Sequence, residues 1–142
     1  MKKFEILEYP TADTGFIAYG KDLNELFENA AIATYSIMVN LDKVEPKIKK
    51  EINIEAIDLY QLMFKWINEL LYFLDTEILV FSKFKVRIEE KDGKYFLHAE
   101  VFGEKVDKNK HELGTLVKAC SYHNMEIKKE DDMWKAKVIV DI

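Results

Sequence analysis

The sequence lacks the residue types that several common sites require. Cys120 is its single cysteine, which excludes an intrachain disulfide and a thiolate metal cluster. It has five glycines and contains no G-x-G-x-x-G turn, no G-x-x-x-x-G-K-[ST] loop and no G-x-S-x-G elbow. Its three histidines never occur as H-x-x-x-H, the spacing that places two zinc ligands on one helix face. Phosphate-binding loops, serine hydrolases and zinc enzymes are therefore not indicated.

Almost all the basic residues are lysines. The 142 residues carry a net charge of −5, and Arg87 is the only arginine. Proteins that bind nucleic acid generally need excess basic charge to neutralise phosphates, and arginine is the main side chain for bidentate contacts with bases and phosphates. Strong direct binding of RNA or DNA is therefore not expected, although a local patch of lysines would be hidden by the net charge.

No segment is predicted to target or cross a membrane. Glu5 and Glu8 interrupt the N-terminal segment, so it does not read as a signal peptide, and no apolar run approaches the length of a transmembrane helix. A single cysteine fits a reducing compartment. We expect a soluble cytoplasmic protein in which residues 1–142 form one domain with a sizeable core.

Hydrophobic periodicity predicts two helices among several short strands. Asp22 and Asp58 each precede an amphipathic segment and can accept hydrogen bonds from the first backbone amides of a helix, which predicts helices from residue 22 to about 40 and from 58 to about 74. Asp92-Gly93 is a strong hairpin signal, and residues 103–114 are predicted to be irregular. Strands are predicted over residues 4–9, 15–19, 49–56, 84–89, 95–102, 117–128 and 134–141. The fold class is α+β, with two helices packed on a mainly antiparallel sheet.

Both helix starts read Asp-Leu-x-x-Leu, and a predicted strand precedes each. One interpretation is an internal duplication of a strand–helix unit. The other is that capping chemistry and a period of 3.6 residues produce the same letters independently. Taken alone, the periodicity favours the second interpretation.

Carboxylates occur near both ends of the chain. Asp13 lies in the turn between the first two predicted strands, and Asp141 and Ile142 end the last one. If the first and last segments are neighbours in one sheet, two side-chain carboxylates and the terminal carboxylate converge, and a hard divalent cation with oxygen ligands would relieve their repulsion. The alternatives are that Asp13 merely caps backbone amides in its turn and that the last residues are frayed.

One predicted strand contains several reactive side chains. In an extended strand Lys118, Cys120 and Tyr122 share one face and His123 lies on the other, unless a β-bulge intervenes. Cys120 and His123 are then a poor nucleophile–base pair, and a small inert thiol is the favoured interpretation. Lys118 is either a counter-charge beside the acidic cluster or an ordinary surface lysine. His98 is interpreted as a structural or surface residue.

Six short segments, in order, carry a resemblance that covers almost the whole chain. They are Glu8 with Thr11-Ala12-Asp13 and Gly15; Tyr19-Gly20 with Leu23, Glu25-Leu26-Phe27-Glu28 and Ala30; Asp58-Leu59, Leu62 and Trp66-Ile67-Asn68-Glu69-Leu70-Leu71-Tyr72; Gly103-Glu104, Asp107 and His111; Val117-Lys118-Ala119 with Tyr122-His123; and Val140-Asp141-Ile142. In these segments the chain resembles the archease family. It departs where the family usually has histidine directly before Thr-Ala-Asp, because Tyr9-Pro10 stands there, so no role of that histidine is carried over.

The resemblance implies a fold, a function and a metal site. The fold would be a duplicated strand–helix–strand–strand arrangement. The function would be that of a non-catalytic activator of the RtcB-type RNA ligase, which seals tRNA exon halves with GTP and divalent metal; the activator promotes guanylylation and repeated turnover of the ligase. Asp13, Asp141 and the carboxylate of Ile142 would hold a divalent ion, Ca²⁺, Mg²⁺ or Mn²⁺. Lys118, His123 and His111 are further candidates for functional or partner contacts.

Two other functions are also consistent with the sequence. One is a chaperone-like module that prevents aggregation of an RNA-modifying enzyme such as a tRNA methyltransferase, which would depend on an exposed apolar patch and not on the carboxylates. The other is a metal-dependent hydrolase, which would need an open metal position and a nearby general base. No adjacent acid–base pair can be named in the sequence, so the hydrolase ranks last.

Overall fold

The structure is a computed structural model and describes residues 2–8 and 13–142. Its helices are α1 (Leu23–Met38) and α2 (Leu59–Glu77), with a short 3-10 turn at Leu41–Lys43. Its strands are β1 (Phe4–Glu8), β2 (Asp13–Gly20), β3 (Ile48–Ala56), β4 (Leu79–Lys91), β5 (Lys94–Lys105), β6 (Ala119–Glu130) and β7 (Met133–Asp141). The predicted α+β class is confirmed. Tyr9 and residues 10–12 lie outside the described residues, and Asp13, which was predicted to lie in the turn, is instead the first residue of β2.

The strands form two antiparallel sheets. One has the order β1-β2-β7-β6 and the other β3-β5-β4. Helix α1 contacts β2 and β4, and helix α2 contacts β6 and β3, so the helices form a layer that contacts both sheets. The core is centred on this layer, where the buried Trp66 indole donates to Phe27 O and the buried Tyr35 hydroxyl donates to Leu70 O. Neither helix in the described part of the chain is both long enough and apolar enough to span a membrane.

The predicted helix starts are confirmed by their caps. Asp22 Oδ1 accepts from Glu25 N and Asp58 Oδ1 accepts from Gln61 N, both at 2.8 Å. These bonds satisfy amides that have no partner within the first helical turn. Helix α2 extends three residues beyond the predicted end and stops at Ile78, whose backbone is left-handed. Capping chemistry was therefore sufficient to locate both starts, but not the end of α2.

The two sheets repeat one arrangement. Strand β2, helix α1 and strands β6 and β7 form one strand–helix–strand–strand unit, and β3, α2, β4 and β5 form the other. In each unit the last strand lies between the other two. The second unit is inserted in the chain between α1 and β6. The duplicated arrangement that the resemblance implied is thus present, and the interpretation that periodicity alone favoured is wrong.

Strands β4 and β5 differ most from their predicted extent. Strand β4 begins at Leu79, before the alternating segment from which it was predicted. The start was missed because Leu79, Val80 and Phe81 are all buried and so show no alternation. Strand β5 continues to Lys105, through residues predicted to be irregular. Gly103 permits this close pairing, because a Cβ atom there would lie 1.9 Å from Val80 O. Local composition does not report such long-range contacts.

Candidate functional site

The first and last segments of the chain are neighbours in the larger sheet. Strand β2 pairs with β7 so that Asp13 is directly opposite Asp141. Directly opposed residues of antiparallel strands project to the same face, with Cβ atoms about 5 Å apart. Val140 and Val138 are fully buried on the other face of β7, so the two aspartates lie on the outer face of the sheet. The predicted convergence of these two residues is confirmed, while the binding of an ion there stays a prediction.

Strand β6 completes this end of the sheet. Ala119 is opposite Asp141 on the side away from Asp13, and the Lys118 amide donates to Asp141 O at 2.7 Å. Continued by one residue, the same register places Lys118 opposite Ile142. The methyl side chain of Ala119 occupies little space beside the two carboxylates. We refer to Asp13, Asp141, Ile142 and the adjoining Lys118 as the acidic tip.

Among the described residues, the two aspartates have no salt-bridge partner. Like charges that face each other across a sheet are destabilising. Within residues 2–8 and 13–142, no lysine, arginine or histidine nitrogen lies within salt-bridge distance of Asp13 or Asp141. Burial, together with the charge of Asp141, raises the pKa of the Cys120 thiol to about 12. Cys120 is therefore protonated at neutral pH, in agreement with its interpretation as an inert thiol.

The donors of the acidic tip fit a hard divalent cation. Carboxylate oxygens are the ligands that Ca²⁺, Mg²⁺ and Mn²⁺ prefer. In the part of the chain that the structure describes, no group of three or more His, Cys, Asp or Glu side chains is arranged to hold a metal ion. The side chains would thus supply two ligands, and the carboxylate of Ile142 and water would have to supply the others. Such a site is open on the solvent side.

His123 lies outside this row of residues. The register of β6 against β7 shifts between Ser121 and Glu126, and the extra residues form a bulge in which Asn124 has a φ of 54°. His123 is exposed in the bulge, and its amide donates to Ser121 Oγ at 2.9 Å. The bulge ends the simple alternation of faces along β6. The predicted placement of Lys118, Cys120 and Tyr122 on one face and His123 on the other therefore does not extend past Ser121.

His111 belongs to a separate buried cluster. Only 1% of its surface is exposed. Its Nδ1 accepts from the Asp107 amide at 2.9 Å, which requires the proton to be on Nε2, and Nε2 lies 3.0 Å from Glu104 Oε2 and 3.1 Å from Lys43 O. A neutral imidazole therefore joins β5, the 3-10 turn and the connection that follows β5. This geometry gives His111 a structural role.

Glu104 is the centre of that cluster. Its carboxylate accepts from Glu45 N at 2.8 Å and from Lys110 Nζ, in addition to His111. Burial alone would raise the pKa of Glu104, but these hydrogen bonds outweigh it and lower the pKa to about 2. The cluster fixes residues 107–111, the first part of the connection that leads from β5 to Lys118 and the acidic tip.

The same connection forms a surface groove that the sequence analysis did not predict. Its exposed apolar residues are Ile78, Leu113 and Leu116, at 51%, 37% and 49% exposure. They have no helical or strand periodicity, so the periodicity of the sequence gives no signal for them. The available signal was composition, because Leu113 is an apolar residue in the segment predicted to be irregular, residues 103–114, and Leu116 is another directly after it.

Comparisons with known proteins agree with this fold. The model described as the Archease protein family (MTH1598/TM1083) matches residues 4–142. A protein archease of Sulfurisphaera tokodaii is 47% identical and one of Pyrococcus furiosus is 45% identical, each over the whole of both chains. The solution structure of Methanobacterium thermoautotrophicum protein 1598 has a TM-score of 0.88 at 44% identity over the whole of both chains.

A more distant structure shares the fold alone. The crystal structure of a Thermotoga maritima archease, described as a possible chaperone, has a TM-score of 0.63 at 18% identity and covers 96% of this chain and 98% of that chain. The match to the family model and the full-length relatives at more than 40% identity decide the assignment. This chain belongs to the archease family.

Proposed function

We propose that this protein is a non-catalytic activator of an RtcB-type RNA ligase and that its acidic tip holds a divalent ion for that purpose. The observation that carries the proposal is the direct opposition of Asp13 and Asp141 on the outer face of the sheet. Two directly opposed carboxylates that have no salt-bridge partner among the described residues destabilise the sheet. A function that uses their charge accounts for that cost, and membership of the archease family supports the ligase as its object.

The residues of the tip would act by position and charge. Asp13 and Asp141 would be held by the β2–β7 ladder, with their oxygens on the solvent side. The bound ion would supply a positive centre with open positions for phosphate or carboxylate oxygens of the ligase. Lys118 would offset further negative charge at the rim. An acidic protein that docks on a basic, RNA-binding enzyme gains electrostatic steering and does not compete for the RNA.

Ligase turnover with charge-neutralised variants tests the proposal. Asp13→Asn and Asp141→Asn keep the size of the side chain and remove its charge. We expect each to reduce stimulation of multiple turnover at least about tenfold, as loss of one charged ligand does at metal sites. Asp92→Asn is the matched control, because Asp92 is exposed in the β4–β5 turn at φ 54°, which asparagine tolerates. Undiminished stimulation by both tip variants would contradict the proposal.

The terminal carboxylate can be tested separately. Two residues added after Ile142 convert its carboxylate to an amide without changing either aspartate. We expect the extended protein to bind Mn²⁺ or Ca²⁺ more weakly by calorimetry and to stimulate the ligase less. Ile142→Val, which keeps the terminal carboxylate, serves as control and should bind the ion as the unmodified protein does. Equal binding by all three proteins would remove Ile142 from the ligand set.

The second candidate is a chaperone-like module for an RNA-modifying enzyme such as a tRNA methyltransferase. The observation that favours it is the exposed apolar cluster of Ile78, Leu113 and Leu116, and the Thermotoga maritima structure is described as a possible chaperone. Light scattering of a methyltransferase during heating separates the two functions. If the protein is a chaperone, wild type and Asp13→Asn should suppress the scattering equally. If it is the activator, neither protein should suppress it.

A further inference from the structure

The groove beside the acidic tip is built from two parts of the chain. The C-terminal end of α2 forms one wall and the connection between β5 and β6 forms the other. Its volume is about 460 Å³. The apolar residues that line it are Leu74, Ile78, Val106, Leu113, Leu116 and Val117. We call it the lateral groove.

Ile78 is in a conformation that isoleucine rarely adopts. It ends α2 with φ 56° and ψ 41°, the left-handed region, where a β-branched residue is an outlier. Its amide donates to Leu74 O and its carbonyl accepts from Val106 N at 2.9 Å. Glycine or asparagine would make both bonds with less strain. The backbone therefore requires a left-handed residue at this position but does not require isoleucine.

The side chain of Ile78 does not contribute enough to the core to explain its presence. About half of it is exposed, at 51%. The fold thus tolerates two unfavourable features at one position, a strained backbone and an exposed apolar side chain. Strain of this kind is typical of binding sites, where the surroundings hold a residue for a purpose outside the fold. We therefore take the exposed side chain of Ile78 as a sign that the lateral groove binds an apolar ligand.

The opposite wall of the groove is held in place. The buried His111 and Glu104 fix its first half through the bonds described above. The Gly114 amide donates to Met38 O at 2.8 Å, and the Lys118 amide donates to Asp141 O. Leu113 and Leu116 therefore remain exposed on a fixed segment, which lowers the ordering cost of binding a partner.

Charge at the rim restricts the chemistry of the occupant. Lys108 and Lys118 line the groove, and within the described ranges neither has a carboxylate within salt-bridge distance. Asp75 is the single acidic residue of the rim. The groove is thus basic at its rim in a protein of net charge −5. This complements an apolar segment that carries a carboxylate.

We propose that the lateral groove binds an apolar, carboxylate-bearing segment of the RNA ligase, as a second contact of the interface that contains the acidic tip. This rests on the proposed function. Lys118 connects the two surfaces, because its side chain lines the groove while its backbone is bonded to Asp141. One partner placed over the tip therefore also reaches the groove. The tip would act on the reaction and the groove would contribute affinity.

The experiment compares Ile78→Asn and Leu116→Ser with Ile57→Asn. Asparagine suits the left-handed backbone at position 78, so Ile78→Asn should not lower the thermal stability. Ile57, 64% exposed and outside the groove, is the matched control for loss of an apolar side chain. Affinity for the ligase is measured by calorimetry, and stimulation is measured at saturating activator. We expect each groove variant to weaken binding about tenfold, as truncation of a central apolar contact does, with stimulation at saturation retained.

The outcomes separate this inference from the proposed function. If both groove variants bind like wild type while Asp13→Asn loses stimulation, the groove inference is wrong and the activator function stands. If wild type neither binds nor stimulates the ligase, the activator function fails and the inference fails with it. If light scattering shows that wild type self-associates and Ile78→Asn does not, the occupant is a second copy of this chain, and the inference is also wrong.

Discussion

The two sheets differ most at one row of directly opposed residues. Asp22 and Asp58 start the two helices 36 residues apart, and Lys49 lies 36 residues after Asp13. The rows through Lys49 and Asp13 therefore occupy corresponding places in the two units. Their members are Lys49, Phe102 and Lys83 in one sheet, and Asp13, Asp141 and Ala119 in the other. The same backbone arrangement thus carries a positively charged row in one sheet and a negatively charged row in the other.

The lysine row is compensated and the aspartate row is not. Lys49 Nζ is 3.2 Å from Glu100 Oε2, and Lys83 Nζ lies 5.3 Å from the centre of the Phe102 ring. Both lysines thus have a partner within the fold. The aspartates have none among the residues described. Charges that the fold satisfies serve stability, and the row left unsatisfied is where an external ligand is to be expected.

Features that the two units share serve the sheets themselves. Asn24 Oδ1 of the first unit accepts from Ile88 N of the edge strand β4, which belongs to the second unit. The Tyr60 hydroxyl of the second unit accepts from Ile127 N of the edge strand β6, which belongs to the first. Asn24 and Tyr60 are again 36 residues apart. Such bonds cover edge amides that could otherwise pair with another chain. Their recurrence in both units indicates a structural role, in contrast to the aspartate row.

In the absence of added cations, the largest effect on stability is expected where a carboxylate is fully compensated. Glu104→Gln removes the charge that Glu45 N, Lys110 and His111 stabilise. We expect it to lower the free energy of unfolding by about 2 kcal/mol at pH 7, as hydrogen bonds to a buried charge do. Urea denaturation measures this. Because folding lowers the pKa of Glu104 to about 2, its stabilisation is complete above pH 4.5 and is lost as the pH falls toward 2.

The control for that prediction is the pH dependence itself. The difference between wild type and Glu104→Gln should shrink between pH 4.5 and pH 2, since the wild-type carboxylate becomes protonated there. A difference that stayed constant over this range would show that the charge of Glu104 does not stabilise the fold.

A charge inversion tests the uncompensated row. Asp13→Lys replaces two opposed carboxylates by an ion pair and makes the row resemble its counterpart. In chelator we expect the variant to be more stable than wild type by about 0.5 kcal/mol, because an attraction replaces a repulsion across the sheet. With Ca²⁺ or Mn²⁺ at 100 times the Kd, wild type should gain about 2.7 kcal/mol and the variant nothing. Differential scanning calorimetry measures both.

Asp92→Lys provides the reference for a change of net charge alone. It should leave the response to cations intact. If Asp13→Lys were destabilised in chelator, the repulsion between Asp13 and Asp141 on which the proposed ion site depends would be absent.

The smallest effect is expected at Cys120. Burial and the charge of Asp141 raise the pKa of this thiol to about 12, so wild type should react with iodoacetamide far more slowly at pH 8 than the unfolded chain does. Asp141→Asn removes the second cause and should lower the pKa, with a modest gain in rate. Cys120 stays buried in the variant, so the rate should remain well below that of the unfolded chain. An unchanged rate would indicate that the Asp141 charge does not reach the thiol.

The elements that the sequence predicted best are those decided by neighbouring residues. The caps at Asp22 and Asp58 and the turn at Asp92-Gly93 were found where predicted, because capping and turn formation involve residues at most three apart. The bulge after Ser121 was not predicted. It arises from the pairing of β6 with β7 and leaves little trace in the alternation of residues.

The candidate site was predictable in its residues but not in its surroundings. Asp13 and Asp141 could be named from their chemistry and from the resemblance. The role of His111 could not, because it depends on the burial of the side chain and on a contact with Lys43 O, 68 residues away in the sequence. The lateral groove was missed for the same reason, since one of its walls is the end of α2 and the other a loop nearly thirty residues later.

By itself the sequence determined the helix starts, the apolar faces and the excess of carboxylates at the two ends, since each is a property of residue type and short-range spacing. The tertiary structure alone decided that Asp13 faces Asp141, that Lys49 has a salt-bridge partner while the aspartates have none among the described residues, and that Ile78 lines a groove next to the tip. The physical reason is that the register between distant strands is set by packing across the whole core, and a shift of one residue would have turned these side chains to the opposite face.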